Sequence, residues 1–297
     1  MTSAHVDWLT GTTELDVGDV LELVHDVTDG ADFEVKPGRW MYKSRFVTVE
    51  GIEVLADPHD AVAMPAVCVN VPGAGCVYLG AERLQRIASI LKPTRLDFAW
   101  DGVPFTVADV AAWVRGGDMR TRLRSATLHE SVMGADGNGV TLGTRNGTAQ
   151  VVAYDRRGPV RLEFRLRGER AAAAYDLLMA SPETWSAAFA ELLRGVVDFV
   201  DRSHGTRPDR APLLASWETF VGHARRVVVA LAGGVAPSFE RARAWVRHQV
   251  ARTLAMLEDA GEDVAALTAY GRSRLRTQHR VRAHGWLHGP PAQTSTA

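Results

Sequence analysis

The sequence predicts an α+β fold: an antiparallel sheet carrying helices on one face, followed by a helical carboxy-terminal region. Three observations lead there. Residues 6–167 are dominated by short runs that alternate apolar and polar side chains and are separated by Gly, Asn and Pro turns. Helical spacing interrupts those runs at a few places. After Ser181-Pro182 the period of two disappears and only helical patterning remains. The expected organisation is an α+β domain over 1–180, a helical region over 181–288 and a Pro/Ser/Thr tail over 289–297.

Taken in order, Val6–Thr12 reads as a strand and Asp16–Val27 as a helix. Trp40–Val49 and Gly51–Ala56 read as a hairpin. Ala66–Val71 meets the turn Pro72-Gly73-Ala74-Gly75 and is expected to return as a strand over Cys76–Leu79. Ala81–Lys92 has Leu84, Ile87 and Leu91 on one helical face and stops before Pro93. Arg95–Asp101 is a strand, and Thr106 is placed to N-cap a helix that ends at Gly116-Gly117. Strands follow at 126–131, 140–144 and 149–155, with Asp136-Gly137-Asn138-Gly139 and Asn146-Gly147 as turns. Val160–Arg167 is another strand, running into an Ala-rich helix over Glu169–Met179. Beyond it, 183–200, 217–231, 238–260 and 264–278 are patterned as helices.

Composition bounds the function classes. The 297 residues carry a net charge of −1, so there is no global pull toward nucleic acid. The charge is unevenly placed: Met1–Asp32 holds carboxylates and no Lys or Arg, whereas arginines crowd 156–170 and 272–282. A GC-rich genome, which favours arginine codons, accounts for much of that excess. There is no long uncharged apolar run and no secretion signal, and the expected location is the cytoplasm. Cys68 and Cys76 flank the Pro-Gly turn and could meet across a hairpin, but two thiols in such a chain are expected to be reduced. Neither a phosphate loop nor zinc-type Cys/His spacing occurs, so ATP use and a zinc finger are unsupported.

The chemistry sits on two strands. In Arg95–Asp101, alternation puts Arg95, Asp97 and Asp101 on one face and Leu96, Phe98 and Trp100 in the core. In Arg161–Arg167, it puts Arg161, Glu163, Arg165 and Arg167 on one face. If the strands are neighbours, Asp97 and Glu163 share an arginine-lined surface. Such a surface suits a divalent metal, Mg²⁺ or Mn²⁺, holding a phosphodiester. It equally suits a ladder of cross-strand salt bridges. Spacing leaves both readings open. Tyr154 lies on the strand 149–155, with Arg145, Arg156 and Arg165 as candidate phosphate holders. It reads either as a nucleophile or as a half-buried ring packed on the sheet.

Several segments, in shared order over roughly residues 5–225, resemble the replication initiation factors of rolling-circle plasmids and integrative elements, the Rep_trans type. They are Val6-Asp7-Trp8-Leu9, Arg95-Leu96-Asp97 with Asp101, Leu142-Gly143-Thr144-Arg145, Tyr154-Asp155-Arg156, and Arg161 through Leu166 into Glu169-Arg170-Ala171. Leu193 to Phe199, Pro212-Leu213-Leu214 and Trp217 continue the likeness.

The resemblance implies a palm-like, endonuclease-related domain that binds origin or transfer-origin DNA and often dimerises. It implies a nickase in which Tyr154 attacks a phosphodiester with a divalent metal near Asp97, Glu163 and Asp101. Arg95, Arg145, Arg156 and Arg165 would hold the DNA. The absence of a His-hydrophobe-His triplet agrees with a family that uses carboxylates.

Departures from the family pattern are Thr141, Val151 and Val152, where relatives often carry tyrosine or arginine, and Arg156 in place of lysine. They keep open a non-catalytic, sequence-specific DNA-binding regulator. A conjugative relaxase with the same chemistry is a further alternative. An α+β protein without any nucleic-acid role would make the ordered likeness a coincidence. Tyr42 and Tyr78 are reserve nucleophiles. His284 and His288 have ligand-like spacing, but Gly285 and Gly289 argue against a stable helix there. Arg272–Arg282 reads as a solvated helix face or a phosphate contact.

Overall fold

The computed structural model describes residues 4–130, 138–155, 159–203, 205–227 and 250–273, together with Val246. It divides into two compact units, Met1–Leu231 and Ala232–Ala297.

A ten-stranded antiparallel sheet dominates the first unit, in the order β2-β3-β4-β5-β1-β6-β11-β10-β9-β8. Its strands are β1 (Ala4–Thr13), β2 (Glu34–Pro37), β3 (Tyr42–Val47), β4 (Glu53–Pro58), β5 (Val67–Val71), β6 (Lys92–Asp101), β8 (Ala126–His129), β9 (Gly139–Leu142), β10 (Ala149–Asp155) and β11 (Val160–Arg167). The short strand β7 (Met119–Thr121) pairs separately with β12 (Val197–Phe199). The helices of this unit are α1 (Val17–Val27), α2 (Gly73–Ser89), α3 (Val107–Gly116), α4 (Glu169–Ala173), α5 (Tyr175–Met179), α6 (Trp185–Val196) and α7 (Ala215–Val221). Thr106 closes a capping box on α3 with Asp109, as its position predicts.

The apolar face of the sheet is buried. Phe98 of β6 stacks on Phe189 of α6, and Trp100 meets Phe220 of α7 edge-on. Trp113, Phe199 and Trp217 extend this aromatic core. The region expected from residue 181 onward therefore begins with helices that share the core of the sheet. In the second unit the described residues form α8 (Ala251–Asp259) and α9 (Val264–Ser273). None of the described helices is long and apolar enough to cross a membrane.

Three expectations are corrected. Cys76–Leu79 is helix, not strand: Pro72 starts α2, and Cys76, Leu79, Leu84 and Ile87 are buried at helical spacing. A left-handed Gly80 (φ 66°) breaks α2 in the middle, which hides its continuity in the sequence. Cys68 and Cys76 consequently lie in different clusters, both free and buried. Burial pushes the Cys68 thiol up to about 11. The helix expected over 183–200 stops at Val196, because Val197–Phe199 pairs with β7. The helix expected over 169–179 is two short ones meeting at Ala174.

Candidate functional site

The register of the central strands decides which side chains share the polar face. Arg165 is opposite Asp97, Arg161 is opposite Asp101, and Glu163 is opposite Ala99. On the other side of β11, Tyr154 is opposite Arg161 and Gln150 is opposite Arg165. Asp97, Asp101, Arg161, Glu163, Arg165 and Tyr154 therefore emerge on one side of the sheet, away from Phe98, Trp100, Leu162 and Phe164.

Two arginine–carboxylate groups form there. In the first, the Tyr154 hydroxyl donates to Glu163 Oε1, and Arg165 Nε donates to Glu163 Oε2 at 2.7 Å. Arg95 Nε donates to Asp97 Oδ2 at 3.0 Å, while Arg165 Nε lies 3.9 Å from the same oxygen. Asp97 Oδ1 is buried with no hydrogen-bond partner, and the residue is only 1% exposed. Burial pushes the Asp97 carboxyl above its ordinary value, against the pull of Arg95, Arg165 and Arg167. The Tyr154 phenol is pushed up to about 12, first by burial and then by Glu163, with Arg161 opposing.

The second group is centred on Arg161, itself buried. Its Nε and Nη2 donate to Asp101 Oδ1 and Oδ2, both at 2.7 Å, and Nη1 donates to Asp7 Oδ1 at 2.7 Å. His5 Nε2 lies 3.8 Å from Asp101. The Asp101 carboxylate is thus engaged with Arg161, on the Tyr154 side of the sheet. Asp7 lies on β1 beside a register shift on β6 between Val6 and Trp8, on the face opposite buried Val6. Its pairing with Arg161 follows only from the strand order β1-β6-β11.

Sequence reasoning also missed the continuation across β1, β5 and β4. Arg95 stacks over the Trp8 ring at 4.0 Å, Trp8 Nε1 donates to Asn70 Oδ1 at 2.8 Å, and Asn70 Nδ2 donates to Glu53 Oε2 at 2.8 Å. Of the candidate phosphate holders, Arg95 and Arg165 join the first group. Arg145 is exposed in the β9–β10 turn, at the end of β10 away from Tyr154. Arg156, His284, His288 and the 289–297 tail lie outside the described residues, as does most of 272–282. The reserve tyrosines are engaged elsewhere: Tyr42 is buried and donates to the Pro65 carbonyl, and Tyr78 donates to the Thr28 carbonyl.

Among the described residues, no group of three or more His, Cys, Asp or Glu side chains is arranged to hold a metal. The donors present are oxygens: the uncommitted Asp97 Oδ1 and the Glu163 carboxylate. That set fits a hard cation that keeps water and phosphate ligands, as Mg²⁺ does, and does not fit an all-protein cage.

A family model described as replication initiation factor matches residues 92–270, more than half of the chain. The chain belongs to the replication initiation factor family. No curated protein matches it significantly. Among solved structures this initiation factor is similar to "Structure of Rolling Circle Replication Initiator Protein from Geobacillus stearothermophilus". The TM-score is 0.63 and the identity 22%, over 78% of this chain and 99% of that one. At that identity the likeness establishes the shared α+β fold. The family match covers β6, β10 and β11, the strands that carry Asp97, Tyr154 and Glu163.

Proposed function

We propose that this initiation factor nicks one strand of origin DNA through Tyr154, in the manner of rolling-circle initiators. The observation that carries the reading is the hydrogen bond from the Tyr154 hydroxyl to the buried Glu163 carboxylate, on a polar sheet face lined by Arg95 and Arg165. A phenol pushed up to about 12 is protonated at neutral pH, so attack needs a base at its oxygen. Glu163 Oε1 is that base: it takes the phenolic proton as Tyr154 Oη bonds to phosphorus. The P–O3′ bond breaks, the 3′ oxygen gains a proton from solvent, and a 5′-phosphotyrosine link remains. Arg95 and Arg165 orient the phosphate with charge-assisted hydrogen bonds. A divalent cation, when bound through Asp97 and Glu163, supplies neutralising charge to the non-bridging phosphate oxygens.

The test is incubation with a single-stranded origin oligonucleotide and Mg²⁺ or Mn²⁺, scored for a covalent adduct on a denaturing gel. Tyr154→Phe is expected to abolish the adduct and keep DNA binding. An adduct that survives this change moves the nucleophile elsewhere. One observation favours a second reading, a DNA-binding regulator without cleavage: Tyr154 is half-buried and tightly held by Glu163. It predicts salt-sensitive binding with no adduct under any metal. A relaxase would give the same adduct on transfer-origin DNA.

A further inference from the structure

A second cluster of arginines lies at the far end of β10 from Tyr154, and it has an excess of positive charge. Its anchor is Asp198 of β12, which is fully buried. Arg194 Nε donates to Asp198 Oδ1 at 2.9 Å, Arg120 Nη2 donates to Oδ2 at 3.0 Å, and Arg226 Nε lies 3.9 Å from Oδ2. One carboxylate thus faces three guanidinium groups. Two more arginines, Arg122 and Arg170, line a narrow apolar cleft bounded by Phe164, Leu166, Leu192 and Val196. Arg170 Nε donates to Thr148 Oγ1 at 3.1 Å, which fixes this group beside the start of β10. Among the described residues, no carboxylate lies within ion-pair distance of Arg122, Arg124, Arg145 or Arg170. The Gly143 N–H donates to the Ser125 carbonyl, so the turn bearing Arg145 lies against the segment that follows Arg122 and Arg124.

Repulsion between these groups is visible in their ionisation. Arg170 is lowered from its ordinary value by burial and by Arg122, and Arg226 by burial and by Arg120, with Arg122 and Arg194 adding to it. Arg120 Nε is buried with no partner. Packed cations with one carboxylate among them lack an anion, and the guanidinium fork is suited to phosphate.

We infer that the cluster formed by Arg122, Arg124, Arg145, Arg170 and Arg226 holds the phosphate backbone of duplex DNA, as a site separate from Tyr154. The inference rests on DNA being the partner of this chain. The cleft lined by Arg122 and Arg170 lies on the apolar side of the sheet with Phe164 and Leu166, whereas Tyr154 emerges on the polar face six residue steps beyond Thr148 along the strand, so the two are separate sites. The choice of duplex over single strand follows from the side chains. Single-strand sites add exposed aromatic platforms for base stacking, and the exposed large aromatics among the described residues are Trp40, Tyr78 and Tyr270, none of them in this cluster.

The experiment uses the full chain and a mixed-sequence duplex of about twenty base pairs, with affinity followed by fluorescence anisotropy against salt. Arg122→Ala/Arg170→Ala is expected to weaken duplex binding about 10-fold or more at low salt. It should lower the slope of log K against log salt by about 2, one for each lost phosphate contact. Arg122→Lys/Arg170→Lys, which keeps the charges, should recover most of the slope. Adduct formation on a single-stranded origin oligonucleotide should be unchanged in both variants. An unchanged duplex slope in the alanine variant overturns the inference even if the adduct forms. An equal loss on single-stranded DNA of the same length overturns the duplex assignment. A salt slope that falls as expected in a protein that never forms an adduct keeps this site and removes the nicking proposal.

Discussion

Asp97 and Asp198 are both buried aspartates among arginines, yet they are left wanting opposite things. At Asp198 every carboxylate valence is used. Arg194 and the Trp217 indole N–H (3.2 Å) donate to Oδ1, and Arg120 donates to Oδ2. The unspent capacity there belongs to the arginines. At Asp97 one oxygen takes Arg95, while the other is buried without a partner. The unspent capacity belongs to the acid. Burial and arginine neighbours therefore do not distinguish a structural clasp from a reactive site. The partner left with open valence does: guanidinium donors beside Asp198, a single carboxylate oxygen at Asp97.

The largest expected effect breaks the clasp. Asp198→Ala leaves Arg120 and Arg194 partly buried without their carboxylate and removes the indole's acceptor. A loss of about 3–5 kcal/mol is expected, read as a lowered urea midpoint with an unchanged denaturant slope. A loss below about 1 kcal/mol would show that the clasp is not a clasp.

Asp97→Asn is expected to act with the opposite sign on stability while abolishing the adduct. The folded protein raises the Asp97 carboxyl above its ordinary value, because burial disfavours its charge relative to the unfolded chain. The sign follows: wild-type stability from this group is full below the ordinary carboxylate value near 3.8 and is lost as pH rises through the raised one. The variant should therefore match wild type in acid and become the more stable protein as pH rises toward neutrality. A variant less stable than wild type at pH 7 would make Asp97 a clasp like Asp198.

That pairing also shows what sequence can and cannot reveal. Alternation on β6 and β11 correctly predicts strands with Asp97 and Glu163 on the polar side, because a period of two is a local property of the backbone. The antiparallel sheet with helices on its apolar face follows from the same periodicity. Which oxygen is spent depends on register and on rotamers set across strands. Alternation puts Asp101 and Arg161 on polar faces and allows a salt-bridge ladder, but that these two are partners, and that Asp7 joins them, follows only from strand order and register. Arg120, Arg122 and Arg124 do alternate in the sequence. Their meaning is invisible until β12 and α6 bring Asp198 and Arg194 beside them. Pro72-Gly73-Ala74-Gly75 misled in the other direction, since it reads as a hairpin turn where it is the start of α2.

A smaller effect tests the acid–base pair of the proposed reaction. Glu163→Gln keeps the shape beside Tyr154 and removes the base. The single-turnover adduct rate should fall about 10²–10⁴-fold at neutral pH. The residual rate should climb with pH, because the phenolate, whose parent phenol is now without a charged acceptor, becomes the reactive form. A rate loss accompanied by an equal loss of oligonucleotide affinity would instead make Glu163 a binding residue.

The smallest effect asks whether geometry or charge alone holds each aspartate. Arg194→Lys keeps the charge but loses the fork that reaches both Asp198 oxygens and the Ala224 carbonyl. The cost should be about 1–2 kcal/mol. In an Asp198→Asn background the same change should cost less, giving a coupling on the order of 1 kcal/mol in a double-mutant cycle. The parallel cycle of Arg95→Lys with Asp97→Asn should give a weaker coupling. Arg95 meets a single Asp97 oxygen and draws on its stack over Trp8, an interaction a lysine at that position can partly replace. Equal couplings in the two cycles would erase the distinction between a closed carboxylate and an open one.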